Sequence, residues 1–275
     1  MAQFFLRWTL FAVAVFAVGP LAGSLFEGLY AVNGAPAVTM LVSASPASTV
    51  FATVAAFAIA AIYGLVTARL VGAAFGFFTT GAILAWAAWQ AGPVSEILRA
   101  AGANAPLTTF AIEGLILGLA GAGLAWLQVR IARPVTADQA KPTEPLISTD
   151  SAVGLLVTIL VGAAVAWILA REGRKGQTIA AAGGAALLAA TAARGFAHNC
   201  ATVSFFLGIA LLAAIGPVAT GLIGGADILA HAYANTLFPL GWISPLDWIA
   251  GAFMGIPLGM TWAGSMIEKQ APATA

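Results

Sequence analysis

Charge is what this sequence has least of: aspartate, glutamate, lysine and arginine make up 8% of it, where soluble domains carry about a quarter. The 11 basic and 10 acidic side chains leave a net charge of +1. No basic run is longer than "REGRK", Arg171 to Lys175, so the phosphate-binding face that nucleic acid needs is missing. Cysteine is nearly absent too. The single Cys200 excludes an intrachain disulfide and has no CxxC or Cys/His spacing, which leaves neither a redox pair nor a structural zinc site. The 2 histidines, His198 and His231, fall near opposite membrane faces and cannot both ligate one haem. No GxSxG, HExxH, Walker or GxGxxG pattern stands in a strand-to-helix setting, and strand signal is sparse. These absences point away from an enzyme, a cofactor and a bound metal.

Apolar residues are abundant instead: 61% of the chain is hydrophobic and the mean hydropathy is +0.98. This composition predicts an all-α, polytopic membrane bundle whose first partner is the lipid bilayer. A helix crosses the hydrocarbon with about 20 apolar residues, and eight stretches qualify: Trp8–Phe26, Thr49–Thr67, Leu70–Trp89, Leu107–Gln128, Ala152–Ala170, Gln177–Arg194, Thr202–Ile223 and Asp247–Met266. The sixth, "TIAAAGGAALLAATAARG", is almost wholly alanine and glycine, so it belongs against neighbouring helices; without it seven remain. The first also resembles a secretory signal peptide, with Arg7, an apolar run and "PLAGS".

The segment "RPVTADQAKPTEPLISTD" carries three prolines and mixed charge and cannot bury apolar area. As a solvated linker over residues 133–150, it divides the chain into membrane halves over 1–132 and 151–275, each with four spans. Basic residues near the span ends place both termini in the cytoplasm of a bacterial-type inner membrane. Arg7, Arg69, Arg130, Arg133, Lys141, Arg194 and Lys269 then lie inside, and Arg99, Arg171, Arg174 and Lys175 lie outside.

The first and last hairpins share landmarks in the same order. Gly19-Pro20, "YAVNGAP" (Tyr30 to Pro36) and Ser45-Pro46 correspond to Gly216-Pro217, "YANTLFP" (Tyr233 to Pro239) and Ser244-Pro245. Both loops are apolar and nearly uncharged, which suits an interfacial or re-entrant position on one side of the membrane better than open water. Tyr30, Asn33, Asp227, His231, Tyr233 and Asn235 are their candidate contact residues. Asp227 and His231 stand four apart and could hold a metal only if Asp247 or Glu27 supplied a third ligand; two alone are too few, and an interfacial helix with a polar edge is the favoured reading.

Gly251, Gly255, Gly259 and Ala263 recur at every fourth position in the last span, leaving a stripe where another backbone can approach. Gly72-x3-Gly76, Gly114-x3-Gly118 and the Ala/Gly faces of the sixth and seventh spans are candidate partners. Pro257 and Pro217 free the carbonyls of Phe253 and Ala213 and can kink their helices.

Well inside the predicted hydrocarbon only Glu113 is ionisable, about 9 Å below the start of its span. It must face the bundle and either take a proton or find donors such as Thr79, Thr80 or Tyr63. Two readings follow. In the first the chain is a small permease or channel for a neutral or weakly charged solute, with Glu113, Thr79, Thr80 and Tyr63 along the path. In the second it is a non-catalytic subunit whose small-residue faces and apolar loops meet other membrane subunits or a second copy of the chain.

Overall fold

The computed structural model describes residues 2–101, 106–133, 145 and 147–270, and most of the expected 133–150 linker lies outside them. The N-terminal helix runs as α1 (Ala2–Val13), a π-helical turn (Ala14–Val18) and α2 (Gly19–Ser24). That turn has a local cause. The Gly19 N–H reaches back five residues to the Ala14 carbonyl, and Pro20, next in that register, has no N–H for the Val15 carbonyl. The indole N–H of Trp86 donates to that orphan at 2.8 Å and pins the N-terminal helix to its neighbour.

The long helices that follow are α3 (Pro46–Val71), α4 (Ala73–Gln90), α6 (Leu107–Ile131), α7 (Thr149–Leu169), α8 (Lys175–Phe196), α9 (Thr202–Gly224) and α11 (Pro245–Gln270), with short α5 (Val94–Ala101) and α10 (Ile228–Tyr233) between them. No strand occurs among the described residues. The molecule is therefore an all-helical, apolar membrane protein. Six stretches are long and apolar enough to cross a bilayer: Gln3–Ser24, Pro46–Val71, Leu107–Ile131, Thr149–Leu169, Lys175–Phe196 and Thr202–Tyr233. The other two expected spans exist as α4 and α11 but fall short of that standard. Both pack centrally, with residues 79–84 and 245–253 buried, and a helix wrapped in protein need not be uniformly apolar.

The most extensive helix contact is between α8 and α11. A Cβ built on Gly255 would stand 2.8 Å from the Leu187 nitrogen and 2.9 Å from the Ala186 Cβ; one on Gly259 would stand 3.0 Å from the Ala190 Cβ. The backbones of α8 and α11 thus touch, and Thr191 Oγ1 donates across the contact to the Gly259 carbonyl at 3.2 Å. On α6, Gly114 faces the Ala213 carbonyl and Gly118 faces Ala210, both on α9. The Ala213 carbonyl is the one that Pro217 leaves without its helical donor, so α9 presents that group to a glycine. Phe77, Phe206 and Phe253 join α4, α9 and α11 at the centre, with ring centroids 4.8 to 6.0 Å apart. One residue, Gly72, turns the chain from α3 into α4 at φ 103°, a backbone region that favours glycine.

Candidate functional site

The connections 25–45, 91–101, 170–174 and 225–244 gather at one end of the bundle. There Val38, Leu98, Phe110, Ile228 and Trp242 form a second apolar core, separate from the main one. Residues 37–40 are buried although they belong to no helix, and their backbone is held by Gly92 N–H donating to the Ala37 carbonyl at 2.9 Å. Thr39 Oγ1 accepts from Val42 N–H at 3.0 Å, curling residues 39–42 into a local turn.

Glu113, on α6 and with no exposed surface, accepts the Leu41 N–H of this turn at 3.1 Å through Oε2. The Met40 amide and the Thr39 hydroxyl also face its carboxyl group. The one ionisable group expected deep in the bundle therefore holds a buried loop to α6. The hydroxyls expected to serve it do not. Thr79 donates to the carbonyls of Phe75 and Gly76 at 3.0 Å, and Tyr63 donates to the Leu10 carbonyl at 2.8 Å. Thr80 donates to the Gly76 carbonyl at 2.9 Å and accepts from Gln128 Nε2 at 2.7 Å. A threonine inside a helix finds the preceding-turn carbonyl more readily than a carboxylate on another helix. The fully buried Gln128, which joins α6 to α4, carried no sequence signal beyond its place at a predicted span end.

The candidate loop residues sit at the same end as Glu113. Asn33 Nδ2 donates to the Glu96 carbonyl at 3.3 Å, and the Arg99 guanidinium lies 5.4 Å over the Tyr233 ring, so α5 bridges the two loops. Their backbones differ: residues Tyr30 and Pro36 form a β-bridge, whereas "YANTLFP" leaves α10 through Asn235 at φ 54°. Tyr30 and Asp227 are exposed, and His231 Nδ1 shares a hydrogen bond with Thr236 Oγ1 at 3.0 Å. No metal-holding group of three or more His, Cys, Asp or Glu occurs among the described residues.

Asp247 is engaged otherwise. Lys175 Nζ lies 3.0 Å from its Oδ1 and donates to Ser244 Oγ at 3.2 Å. The Ser244 N–H donates to Asp247 Oδ2 at 3.0 Å and the Asp247 N–H to Ser244 Oγ at 3.3 Å, a reciprocal cap at the start of α11. Sequence reasoning missed this pair, although Ser244-Pro245-Leu246-Asp247 is a legible cap and Lys175 was one of the basic residues that broke the charge rule. Beside it a recess of about 290 Å³ is lined by Arg99, Glu172, Arg174, Lys175, Asn235 and Trp242. All three of its cations are paired: Arg99 with Glu96 at 3.2 Å, Arg174 with Glu172 at 2.8 Å and Lys175 with Asp247.

The chain matches no known protein family, no characterised protein and no solved structure.

Proposed function

We infer that this protein is a non-catalytic subunit of a larger membrane assembly, an eight-span bundle built from α1–α2, α3, α4, α6, α7, α8, α9 and α11. The observation that carries this reading is the way Glu113 is spent. A carboxyl group serving a solute path faces a polar cavity, but this one is fully buried, with Oε2 bonded to the Leu41 N–H of the 25–45 loop and Oε1 buried without a hydrogen-bond partner among the described residues. Thr80 and Gln128 are consumed in the same way, bonded to each other between helices.

A lateral groove of about 390 Å³ between α6 and α9 offers a place for a partner. Ala111, Ala214 and Ala219 contribute small side chains to it, and Ile112, Leu115 and Val218 flank them. A groove where alanines alternate with larger apolar side chains admits the side-chain ridge of another transmembrane helix, the kind of contact that supports association in lipid. The position of Arg7, Arg69, Arg130, Arg133 and Arg194 at one end, against Arg99, Arg171, Arg174 and Lys175 at the other, supports a cytoplasmic location of both termini in an inner membrane.

The permease reading is favoured by a different observation: a cavity of about 500 Å³ at the opposite end of the bundle has Pro257 of α11 on its wall. Purification from the native membrane in mild detergent, followed by reconstitution, separates the two. A stoichiometric partner that Ala214→Trp releases, with liposomes tight to small solutes, is expected for the subunit. Solute flux that responds to Glu113→Gln would replace that reading with the permease.

A further inference from the structure

The 500 Å³ cavity at the end away from the loop cap has a lining that the subunit reading does not use. Arg7 of α1 and Arg133 beyond α6 both line it, and among the described residues no aspartate or glutamate does. Neither arginine forms an ion pair among the described residues, in contrast to the three paired cations of the opposite recess. Arg7 Nε is buried without an acceptor, and its guanidinium stands 5.4 Å from the Phe75 ring centroid.

The first turn of α4, Ala73 to Phe75, forms another part of the wall. The initial N–H groups of a helix have no partner within it, and this end has neither a side-chain cap nor an acidic residue in its first turn. Two arginines without an ion pair among the described residues and a helix start without a side-chain cap therefore line one space, and each calls for an oxyanion. The hydroxyl-bearing residues Thr202 and Thr261 complete the polar lining. The remaining walls are apolar, among them Val71, Val129 and Met260, with Phe77 of the central aromatic cluster.

We propose that this cavity is a binding site for an anionic phospholipid from the adjoining leaflet. Its phosphate lies between Arg7, Arg133 and the α4 amides, and an acyl chain lies along Val129 and Met260. A free phosphate ion would satisfy the charges but leave the apolar wall unused. A basic pocket between helices is the known physical basis for anionic headgroup recognition, and each arginine near the surface favours it by about fivefold in affinity. The site goes beyond the subunit reading and stands whether or not a partner chain exists.

The test uses the full chain in nanodiscs of phosphatidylcholine mixed with phosphatidylglycerol, with retained lipid identified by native mass spectrometry. Wild type is expected to retain phosphatidylglycerol selectively. Arg7→Gln/Arg133→Gln should weaken that retention about 25-fold, from about fivefold for each arginine. Ala74→Trp, which fills the cavity without changing charge, should abolish it as well. Arg69→Gln/Arg130→Gln removes two exposed cations near that end which do not line the cavity, and should leave retention unchanged. Equal loss in that control, or retention that survives Ala74→Trp, would overturn the site. Displacement of the lipid by inorganic phosphate alone would overturn the choice of a lipid.

Discussion

Replacing Gly255 with alanine adds one methyl group where α8 and α11 already touch. The new carbon would stand 2.9 Å from the Ala186 Cβ and 2.8 Å from the Leu187 nitrogen, and would also press on the Gly183 carbonyl oxygen. Ordinary carbon–carbon contact lies at about 3.5–4.0 Å, so the helices must separate by about 0.6 Å or more. Two of the three atoms are backbone, and no rotamer change relieves them. Overpacking of this kind costs about 2–3 kcal/mol, and alanine's better helix propensity returns about 1 kcal/mol, leaving a net loss of about 1–2 kcal/mol. Gly264, on the same helix, has nothing within 4 Å of the place an added methyl group would take, so Gly264→Ala keeps the propensity gain without the clash. The two variants should differ by about 2–3 kcal/mol, or about 4–12 °C in the thermal unfolding midpoint in detergent. If Gly255→Ala and Gly264→Ala melt together, the stripe is not a contact surface and the packing argument fails.

Glu113→Leu removes the buried carboxyl group that accepts the Leu41 N–H and should cost about 1–3 kcal/mol, whereas Glu113→Gln keeps an acceptor oxygen and should unfold near wild type. Equal melting of the two variants would show that the loop does not depend on the carboxyl group. Lys175→Met leaves Asp247 buried without its cation and should cost about 3–5 kcal/mol. Adding Asp247→Leu should recover part of that, though less than all, because the Ser244 N–H then loses its cap. Thermal unfolding of the single and double variants checks this, and a silent Lys175→Met would mean that the pair is not held in the membrane-bound protein.

Composition alone determined the class. In lipid every backbone group must be paired within the protein, which leaves helices and closed barrels, and apolar runs of about 20 residues without polar alternation select helices. Pro217 and Pro257 sit inside helices as read, whereas Gly72, read as part of a packing stripe within the third span, lies outside the helix and makes the turn between α3 and α4. Span number was less legible, since α4 and α11 are shielded by neighbours and their interiors were free to carry glycine, threonine and proline. The matching order of landmarks in the two hairpins did not produce matching backbones, since a few turn residues permit a bend without specifying its path.

What only the tertiary structure decided is who meets whom. The stripe Gly251–Ala263 announced that a backbone could come close, but several small-residue faces were available, and shape complementarity along α8 selected one. Glu113 announced that a carboxyl group would be buried. Its partner turned out to be a main-chain N–H 72 residues away, which no side-chain pattern encodes. Lys175 and Asp247 are likewise 72 residues apart, and their pairing arises from the docking of α8 on α11. Local pattern reports periodicity, propensity and polarity within a few turns of chain. Pairings across the bundle depend on how whole helices pack, a property of the assembled fold.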